Sequence, residues 1–336
     1  MSYRRLEITK CGGPEVLRIV EETSLPEPAK DEVRVKVLAT GAAFTDIMIR
    51  EGMYPEIKQK PPFTIGYDMV GVVDKIGEGV EKFKSGQRVA DLMVIGACSE
   101  YVCVSADRLT LVPDELDAGE AVSLVLSYVT AYQMLNRIAE VKSGQRVLIH
   151  GAGGAVGTAM IQLSVLKDLE IYGTASKSKH ELVSSLGAVP IDYQNEDYSD
   201  RLRSLANKGI DAVFDPIGGD NLKRSFSVLG HSGKLVSYGF YDSVLGKGGN
   251  IPLDFLRLKL WNIFPNHRST SFYSIGATRK NHPDWFSEDL TTLFGLLKDG
   301  RISPVIGLRV PMNKATEAYE LIEKANVNGK VIIEVA

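Results

Sequence analysis

Residues 147–163 read VLIHGAGGAVGTAMIQL, and this stretch determines how the rest of the chain is interpreted. A short apolar strand pattern comes first, apolar residues at helical spacing come last, and four glycines stand between them: Gly151, Gly153, Gly154 and Gly157. Glycines in this position permit a tight turn and let backbone approach a pyrophosphate at the N-terminus of the helix. The stretch therefore predicts a dinucleotide-binding loop, with a flexible surface loop as the alternative.

The sequence around this loop alternates between strand and helix patterns from Arg146 to about Gly239. The strand patterns are EIYGTA, VPIDY, IDAVFDP and KLVSYG; the helix patterns include KHELVSSLGA, closed by Gly187, and DYSDRLRSLANKG. Alternation with short connections predicts a parallel sheet covered by helices on both faces. This context favours the dinucleotide loop over the surface loop.

The first 120 residues or so have the pattern of β-strands instead. EVRVKVLAT (residues 32–40) alternates polar and apolar residues, and DMVGVVDKIG and EYVCVSADRLTLV are rich in β-branched residues. After about residue 265 the pattern is mixed and ends in the strand GKVIIEV, so this tail is predicted to return to the first domain. The chain is therefore expected to be an α/β protein with two domains.

The hexapeptide KSGQRV occurs twice, at residues 84–89 and 142–147. A tandem duplication would repeat the flanking sequence as well, and the flanks differ. Both copies are interpreted as a glycine-centred turn that leads into a strand.

Composition excludes several classes of function. The 336 residues are 44% apolar and 24% charged with a formal net charge of -3, which gives no reason to expect a nucleic acid or a membrane as partner. Three scattered cysteines do not form a disulfide framework, which favours a cytoplasmic location. MSYRRLEITK lacks the apolar stretch of a signal peptide, and residues 121–135 predict a buried helix rather than a membrane span.

The end of the second strand of the alternating region predicts which dinucleotide binds. An NAD site usually carries an acidic residue there, whereas this strand runs into SKSKH, with Ser176, Lys177 and Lys179. Lysine and serine attract a 2′-phosphate that a carboxylate would repel, so NADPH is predicted. Glu170 is the competing candidate, but it stands at the start of the strand. If the lysines merely formed a solvated helix N-terminus, they would oppose the helix dipole.

A family resemblance rests on GAAFTDIMIREGMYP, PPFTIGYDMVGVVDKIGEGVEKFKSGQRV, SYVTAYQML, the glycine loop, GTASKSKHELVSSLGA, IDYQNED, DAVFDPIGGD and NGKVIIEV. In this order they resemble the medium-chain dehydrogenase/reductase superfamily, in its zinc-independent quinone oxidoreductase-like branch. The resemblance implies a GroES-like, barrel-like catalytic domain at residues 1–126, completed by 266–336, and a Rossmann NADPH-binding domain at 127–265. It also implies that the nicotinamide lies in a cleft between the two domains.

The resemblance implies roles for individual residues. Lys177 resembles the ligand of the 2′-phosphate, Tyr193 the tyrosine beside the adenosine half, and Thr130 the threonine near the nicotinamide, which the turn from Tyr238 to Phe240 should border. The positions implied to contact the cofactor are Phe44, Asp46, Thr130, Gly153, Gly154, Ala155, Val156, Gly157, Thr174, Ser176, Lys177, Tyr193, Tyr238, Gly239, Phe240 and Lys330.

The resemblance also implies chemistry without a metal. Zinc-containing relatives have Cys-x-Thr-Asp and Gly-His-Glu, where this chain has Ala43 and Tyr67, and neither residue supplies a zinc ligand. Cys98 and Cys103 alone cannot form the structural zinc lobe. The branch often has asparagine at the place of Ala43, so one polar contact to cofactor or substrate is missing.

NADPH without a Lewis acid suits quinones or α,β-unsaturated carbonyl compounds, for which a donor near the carbonyl oxygen suffices. The candidate donors are Tyr54 and Tyr67; the alternative is that both are packed tyrosines. His150, Asp46 and Asp68 are expected to be structural. The leading hypothesis is an NADPH-dependent reductase of such acceptors, and the alternatives are an enoyl-thioester reductase and a non-catalytic NADPH-binding sensor or scaffold.

Two further segments have a composition that indicates a role near the active site or at an interface. The aromatic residues 260–275 are expected to cover the nicotinamide, to line the acceptor pocket or to form a subunit interface, and a homodimer is predicted. The glycine-rich residues 241–250 are predicted to form a mobile lid.

Overall fold

The computed structural model describes residues 1–246, 248–263 and 267–335. The strands are β1 Tyr3–Ile8, β2 Leu17–Glu22, β3 Glu32–Ala42, β4 Phe63–Thr64, β5 Asp68–Ile76, β6 Arg88–Leu92, β7 Tyr101–Ser105, β8 Thr110–Leu111, β9 Arg146–His150, β10 Glu170–Ala175, β11 Val189–Asp192, β12 Ile210–Asp215, β13 Leu229–Ser237, β14 Ser269–Phe272, β15 Ile306–Pro311 and β16 Lys330–Glu334.

The α-helices are α1 Phe44–Arg50, α2 Ala118–Ser123, α3 Val129–Gln133, α4 Ala155–Val165, α5 His180–Ser185, α6 Tyr198–Leu205, α7 Asp220–Ser227, α8 Tyr241–Val244, α9 Ile251–Trp261, α10 Ile275–Asn281, α11 Pro283–Lys298 and α12 Ala315–Glu323. Turns of π-helix at Leu124–Tyr128 and Met134–Ile138 flank α3. Residues 121–135, predicted to be a buried helix, are helical and almost entirely buried. No helix in the described part of the chain has the length and hydropathy that a membrane span requires.

The first compact unit is Met1–Val129 with His282–Ala336. Its main sheet has the order β15-β16-β3-β5-β6-β8, with β7 also paired to β3, and β2-β1-β4 form a smaller sheet. Val33, Val35 and Val37 of β3 are fully buried, as their alternation predicts. Because β16 pairs antiparallel with β3, the last strand of the chain belongs to the main sheet of this unit.

The second unit, Thr130–Asn281, contains a six-stranded sheet of order β11-β10-β9-β12-β13-β14. All of its strand pairs are parallel, and its core includes Leu148, Ile191, Val213 and Leu235. The predicted doubly wound parallel sheet is confirmed. Strand order reverses between β9 and β12, which places the switch point, the usual ligand site of such sheets, directly after β9.

The border of the second unit differs from the sequence-based one near residue 265. β14 pairs parallel with β13, and the Thr270 hydroxyl donates to the carbonyl of Leu258 at 2.6 Å. These bonds hold residues 267–281 in the second unit, and the chain re-enters the first at His282. Residues 264–266 of the aromatic segment and Lys247 of the predicted lid lie outside the described residues. The described part of that lid begins with α8.

The two KSGQRV copies form the same turn in different units. Gly86 and Gly144 have φ of +90° and +77°, in the left-handed region that favours glycine. In each copy the lysine N–H donates to the side-chain oxygen of the glutamine three residues later, Gln87 at 2.8 Å and Gln145 at 2.7 Å. The prediction of one local structure in two unrelated places is confirmed.

Candidate functional site

The glycine loop connects β9 to α4 in a closed turn. The N–H of Gly154 donates to the carbonyl of Gly151 at 2.9 Å, and Gly151 has φ of +67°. Gly154 is the N-cap of α4 in an extended conformation, with φ of -89° and ψ of 178°. The first turn of an α-helix has N–H groups without partners inside the helix, so this loop presents donors at the switch point.

Gly157 brings the helix into direct contact with the loop. A Cβ atom there would lie 2.3 Å from the carbonyl oxygen of Gly151 and 2.7 Å from Cα of Ala152. Both neighbours are backbone, so no side-chain movement relieves the overlap. The close approach that a dinucleotide loop needs is therefore built into this chain, and its residues fit a pyrophosphate.

The ends of β10 and β11 lie side by side next to this loop. Ala175 pairs with Asp192, so Ser176 and Lys177 follow directly at the carboxyl edge of the sheet, beside Tyr193. The Lys177 side chain is exposed, and Tyr193 is 52% exposed. Glu170 lies at the opposite end of β10, so the structure removes it from this edge.

Asp192 is an acidic residue at this edge that sequence reasoning did not consider. Its carboxylate accepts bonds from the Gln194 N–H at 3.1 Å and from the Asn195 side chain at 2.8 Å. The bond from Asn195, helped by His180 and Lys177, lowers the pKa of Asp192. The carboxylate thus closes its own turn. An aspartate followed by Tyr-Gln-Asn is a signal for such a turn.

A buried polar network lies beneath the loop. His150 contacts the Thr174 hydroxyl through Nδ1 at 2.9 Å and the Ser225 hydroxyl through Nε2 at 3.0 Å. The Ser225 hydroxyl in turn donates to Asp215 at 2.7 Å, and burial lowers the pKa of His150. A neutral histidine with both nitrogens partnered is structural, as expected, and it fixes the Thr174 side chain.

Asp215 also shapes a second glycine loop. Its carboxylate accepts the N–H groups of Ile217 at 2.7 Å and Gly218 at 3.2 Å. The Tyr238 N–H donates to the Asp215 carbonyl at 3.0 Å, and a Cβ on Gly239 would lie 2.7 Å from the carbonyl oxygen of Pro216. The segment 238–240 therefore lies against this loop. Thr130, also in the second unit, is buried.

In the first unit, Asp46 holds the start of α1, the helix that Phe44 begins. Its carboxylate accepts the Ala43 N–H at 2.8 Å, and its side chain is fully buried. Burial raises the pKa of Asp46 to about 8. The expected role in holding a loop agrees with this geometry.

Asp68 and Lys330 form a buried ion pair in the same unit. Lys330 Nζ lies 3.0 Å from Asp68 Oδ2, and the other carboxylate oxygen accepts the Gly41 N–H at 2.6 Å. A Cβ on Gly41 would lie 2.1 Å from Cε of Lys330, so this glycine makes room for the lysine. Asp68 thus joins β3, β5 and β16, and a cofactor contact by Lys330 stays a prediction.

Replacing Asp46 by asparagine is expected to stabilise the protein at high pH. An unfolded aspartate titrates near 3.9, and the folded one near 8. The folded state binds the extra proton between these values, so the wild-type free energy of unfolding falls as pH rises from about 4 to about 8, by ~1.4 kcal/mol per pKa unit. Asparagine keeps an oxygen for the Ala43 N–H. Urea unfolding of both proteins at pH 5 and pH 9 tests this; a stability difference equal at both pH values contradicts it.

Tyr54 and Tyr67 are brought together by their hydroxyl groups. The two oxygens lie 2.6 Å apart, and the rings meet edge to face at 5.8 Å. Tyr67 is fully buried, whereas Tyr54 is partly exposed and lines a cavity of about 200 Å³ together with Ile49, Ile57, Lys58, Lys60 and Phe63. Burial raises the pKa of Tyr54 to about 12, and burial also raises the pKa of Tyr67 well above its ordinary value. Both hydroxyls therefore remain protonated donors at neutral pH.

The cysteines are free thiols. Burial raises the pKa of Cys103 to about 11 and also raises that of Cys98, so both are protonated at neutral pH. Among residues 1–246, 248–263 and 267–335, no three side chains of histidine, cysteine, aspartate or glutamate are grouped as a metal ion requires.

Comparison with known proteins assigns the fold and the class. A family model described as alcohol dehydrogenase GroES-like domain matches residues 29–114, and one described as zinc-binding dehydrogenase matches residues 186–333. The crystal structure of Escherichia coli quinone oxidoreductase complexed with NADPH superimposes with a TM-score of 0.88 at 28% identity, over 98% of this chain and 99% of that one.

Two curated relatives extend the comparison. Quinone oxidoreductase of Sus scrofa is 30% identical over 98% of this chain and 96% of its own length. The synaptic vesicle membrane protein VAT-1 homolog of Danio rerio is 32% identical over 99% of this chain and 70% of its own length.

The parallel sheet with its glycine loop and the GroES-like unit, taken together with these relatives, make the chain an oxidoreductase of the two-domain α/β class. The chain belongs to the medium-chain dehydrogenase/reductase superfamily, in its zinc-independent quinone oxidoreductase-like branch. The predicted family and the GroES-like domain are confirmed.

Proposed function

We propose that the protein is an NADPH-dependent reductase that transfers hydride to quinones or α,β-unsaturated carbonyl compounds without zinc. The observation that carries the proposal is the hydroxyl pair of Tyr54 and Tyr67. The family resemblance implies that Tyr67 stands where zinc-containing relatives have a histidine ligand. A protonated hydroxyl at that place is a hydrogen-bond donor for a carbonyl oxygen. The cofactor is NADPH: Ser176 and Lys177 follow β10, and the E. coli relative is described with NADPH bound.

Bound NADPH would supply a hydride for the electrophilic carbon of the acceptor, and negative charge would then develop on the acceptor oxygen. Either hydroxyl of the pair can be the donor by geometry. The proposal assigns the donor role within the pair to Tyr67, because Tyr67 is buried. The Tyr54 hydroxyl can then donate its own proton to the acceptor oxygen. The hydrogen bond that Tyr54 accepts from Tyr67 strengthens the one that Tyr54 donates. The tyrosines thus hold a proton at the oxygen that becomes charged.

Replacing Tyr54 by phenylalanine is expected to lower kcat/KM for a naphthoquinone or an enone by about 10²-fold, the usual effect of removing one donor to a developing oxyanion. Tyr67→Phe is expected to lower kcat/KM about tenfold, because Tyr54 still donates its hydrogen bond to the acceptor oxygen. The Kd for NADPH should not change in either variant. Tyr101→Phe, in the edge-to-face pair with Tyr3 of the same unit, is the matched control. Equal kcat/KM in Tyr54→Phe and wild type contradicts the role of the pair.

The proposed function is tested by following NADPH oxidation with a panel of quinones, short enones and enoyl thioesters. Turnover of quinones or enones supports the proposal. Turnover of enoyl thioesters alone favours the enoyl-thioester reductase, whose distinguishing requirement is room for a pantetheine arm. NADPH binding without turnover of any acceptor favours a sensor or scaffold. We also propose a homodimer located in the cytoplasm, which sedimentation and fractionation test.

A further inference from the structure

Lys179 lies across the glycine loop, in a place that the resemblance does not assign. It ends the 3₁₀ turn Lys177–Lys179 after β10 and precedes α5. A Cβ atom on Gly153 would lie 2.6 Å from Cδ, 3.1 Å from Cβ and 3.3 Å from Cγ of Lys179. The aliphatic stem of this lysine therefore occupies the space that a side chain at position 153 would need.

Lys177 and Lys179 differ in their surroundings. The Lys177 side chain is exposed at the edge of the sheet, close enough to Asp192 to lower the pKa of that carboxylate. The Lys179 side chain is half-buried, and burial lowers the pKa of its ammonium group. An anion bound nearby would offset that loss of hydration. The packed stem also leaves less side-chain freedom to lose when the ammonium binds.

We propose that Lys179 is a second cationic ligand of the dinucleotide and contacts its pyrophosphate, while Lys177 serves the 2′-phosphate. Gly153 immediately precedes the N-cap of α4, where the pyrophosphate is held in loops of this kind. A glycine is then required at position 153 because a side chain there would displace the stem of Lys179. The proposal rests on NADPH being the cofactor. Two lysines that are two residues apart would then each bind a different phosphate group of the nucleotide.

The test measures the Kd of NADPH and NADH by fluorescence quenching, for the wild type and for Lys179→Gln and Lys177→Gln. Lys179→Gln should raise both Kd values about tenfold, because both nucleotides carry the pyrophosphate. Lys177→Gln should raise the Kd of NADPH alone. Lys208→Gln, an exposed lysine before β12, controls for the lost charge.

The outcomes separate this proposal from the proposed function. If wild-type protein binds NADPH and Lys179→Gln binds both nucleotides as the wild type does, or loses affinity for NADPH alone, the pyrophosphate role is overturned and the reductase is not. If wild-type protein binds neither nucleotide, both are overturned. Circular dichroism and thermal unfolding establish that each variant is folded.

A double-mutant cycle tests whether the absence of a side chain at Gly153 positions Lys179. Gly153 does not have a positive φ, so alanine meets no backbone strain there, only the lysine stem. Gly153→Ala should raise both Kd values about tenfold in the wild type and less than about twofold in a Lys179→Ala background. Equal effects in the two backgrounds contradict the idea that this glycine positions Lys179.

Discussion

Gly157→Ala is expected to lower affinity for NADPH and NADH alike, raising each Kd about 30-fold or more, which corresponds to ~2 kcal/mol. The added methyl group would lie 2.3 Å from the Gly151 carbonyl oxygen and 2.7 Å from Cα of Ala152. Because both neighbours are backbone, the loop and α4 must move apart. The donors at the start of the helix then no longer converge on one phosphate position.

Two energetic effects of this substitution oppose each other. Alanine is favoured over glycine in a helix by about 1 kcal/mol, and Gly157 stands in the first turn of α4. Overpacking of a tight contact costs about 1–3 kcal/mol, and here no flexible side chain can yield. The strain should dominate, so the free energy of unfolding should fall together with the affinity. Fluorescence titration and urea unfolding measure the two effects.

Gly295→Ala is the matched control in α11. A Cβ there meets nothing within 4 Å, so the same change of residue should stabilise the protein by up to about 1 kcal/mol and leave both Kd values unchanged. A Gly157→Ala protein with wild-type affinity would show that the loop tolerates displacement. The pyrophosphate would then not depend on this close approach.

Elements whose signal is local could be predicted from the sequence. Glycines between an apolar strand and a helix identify the loop before α4, because Gly151 has a left-handed φ and Gly157 has no room for a side chain. Alternation of polar and apolar residues predicted β3, and a short apolar run predicted β9, because burial on one face or on both faces of a strand gives it a different pattern. The return of β16 to the first unit followed from the family pattern.

Contacts between residues distant in sequence could not be predicted. Nothing in the local pattern indicates that the Tyr54 hydroxyl meets that of Tyr67, or that Lys330 crosses to Asp68. The boundary near residue 265 was misplaced because the pairing of β14 with β13 is a tertiary choice that a four-residue strand barely signals. Asp192 was overlooked because the expected acidic residue belongs to the end of β10, not to its neighbour.

Reversing the charge of Lys177 should convert the preference for NADPH into one for NADH. Lys177→Glu would place a carboxylate beside Asp192 at the edge where β10 and β11 end, so a 2′-phosphate would meet two negative charges. The Kd of NADPH should rise about 10²-fold, or ~2.7 kcal/mol, and that of NADH less than about threefold, because NADH has no phosphate there. The effect on NADPH should shrink with added salt, since Lys177 is exposed.

Lys208→Glu makes the same change of charge at the opposite edge of the same sheet, two residues before β12 begins. If the whole field of the second unit set the affinity, both reversals would weaken NADPH and NADH comparably. If the 2′-phosphate contacts Lys177, affinity is lost only for NADPH and only in the Lys177→Glu variant. Equal weakening of the two nucleotides by Lys177→Glu would therefore remove this lysine from the phosphate and leave Ser176 and Tyr193 as the candidates at that edge.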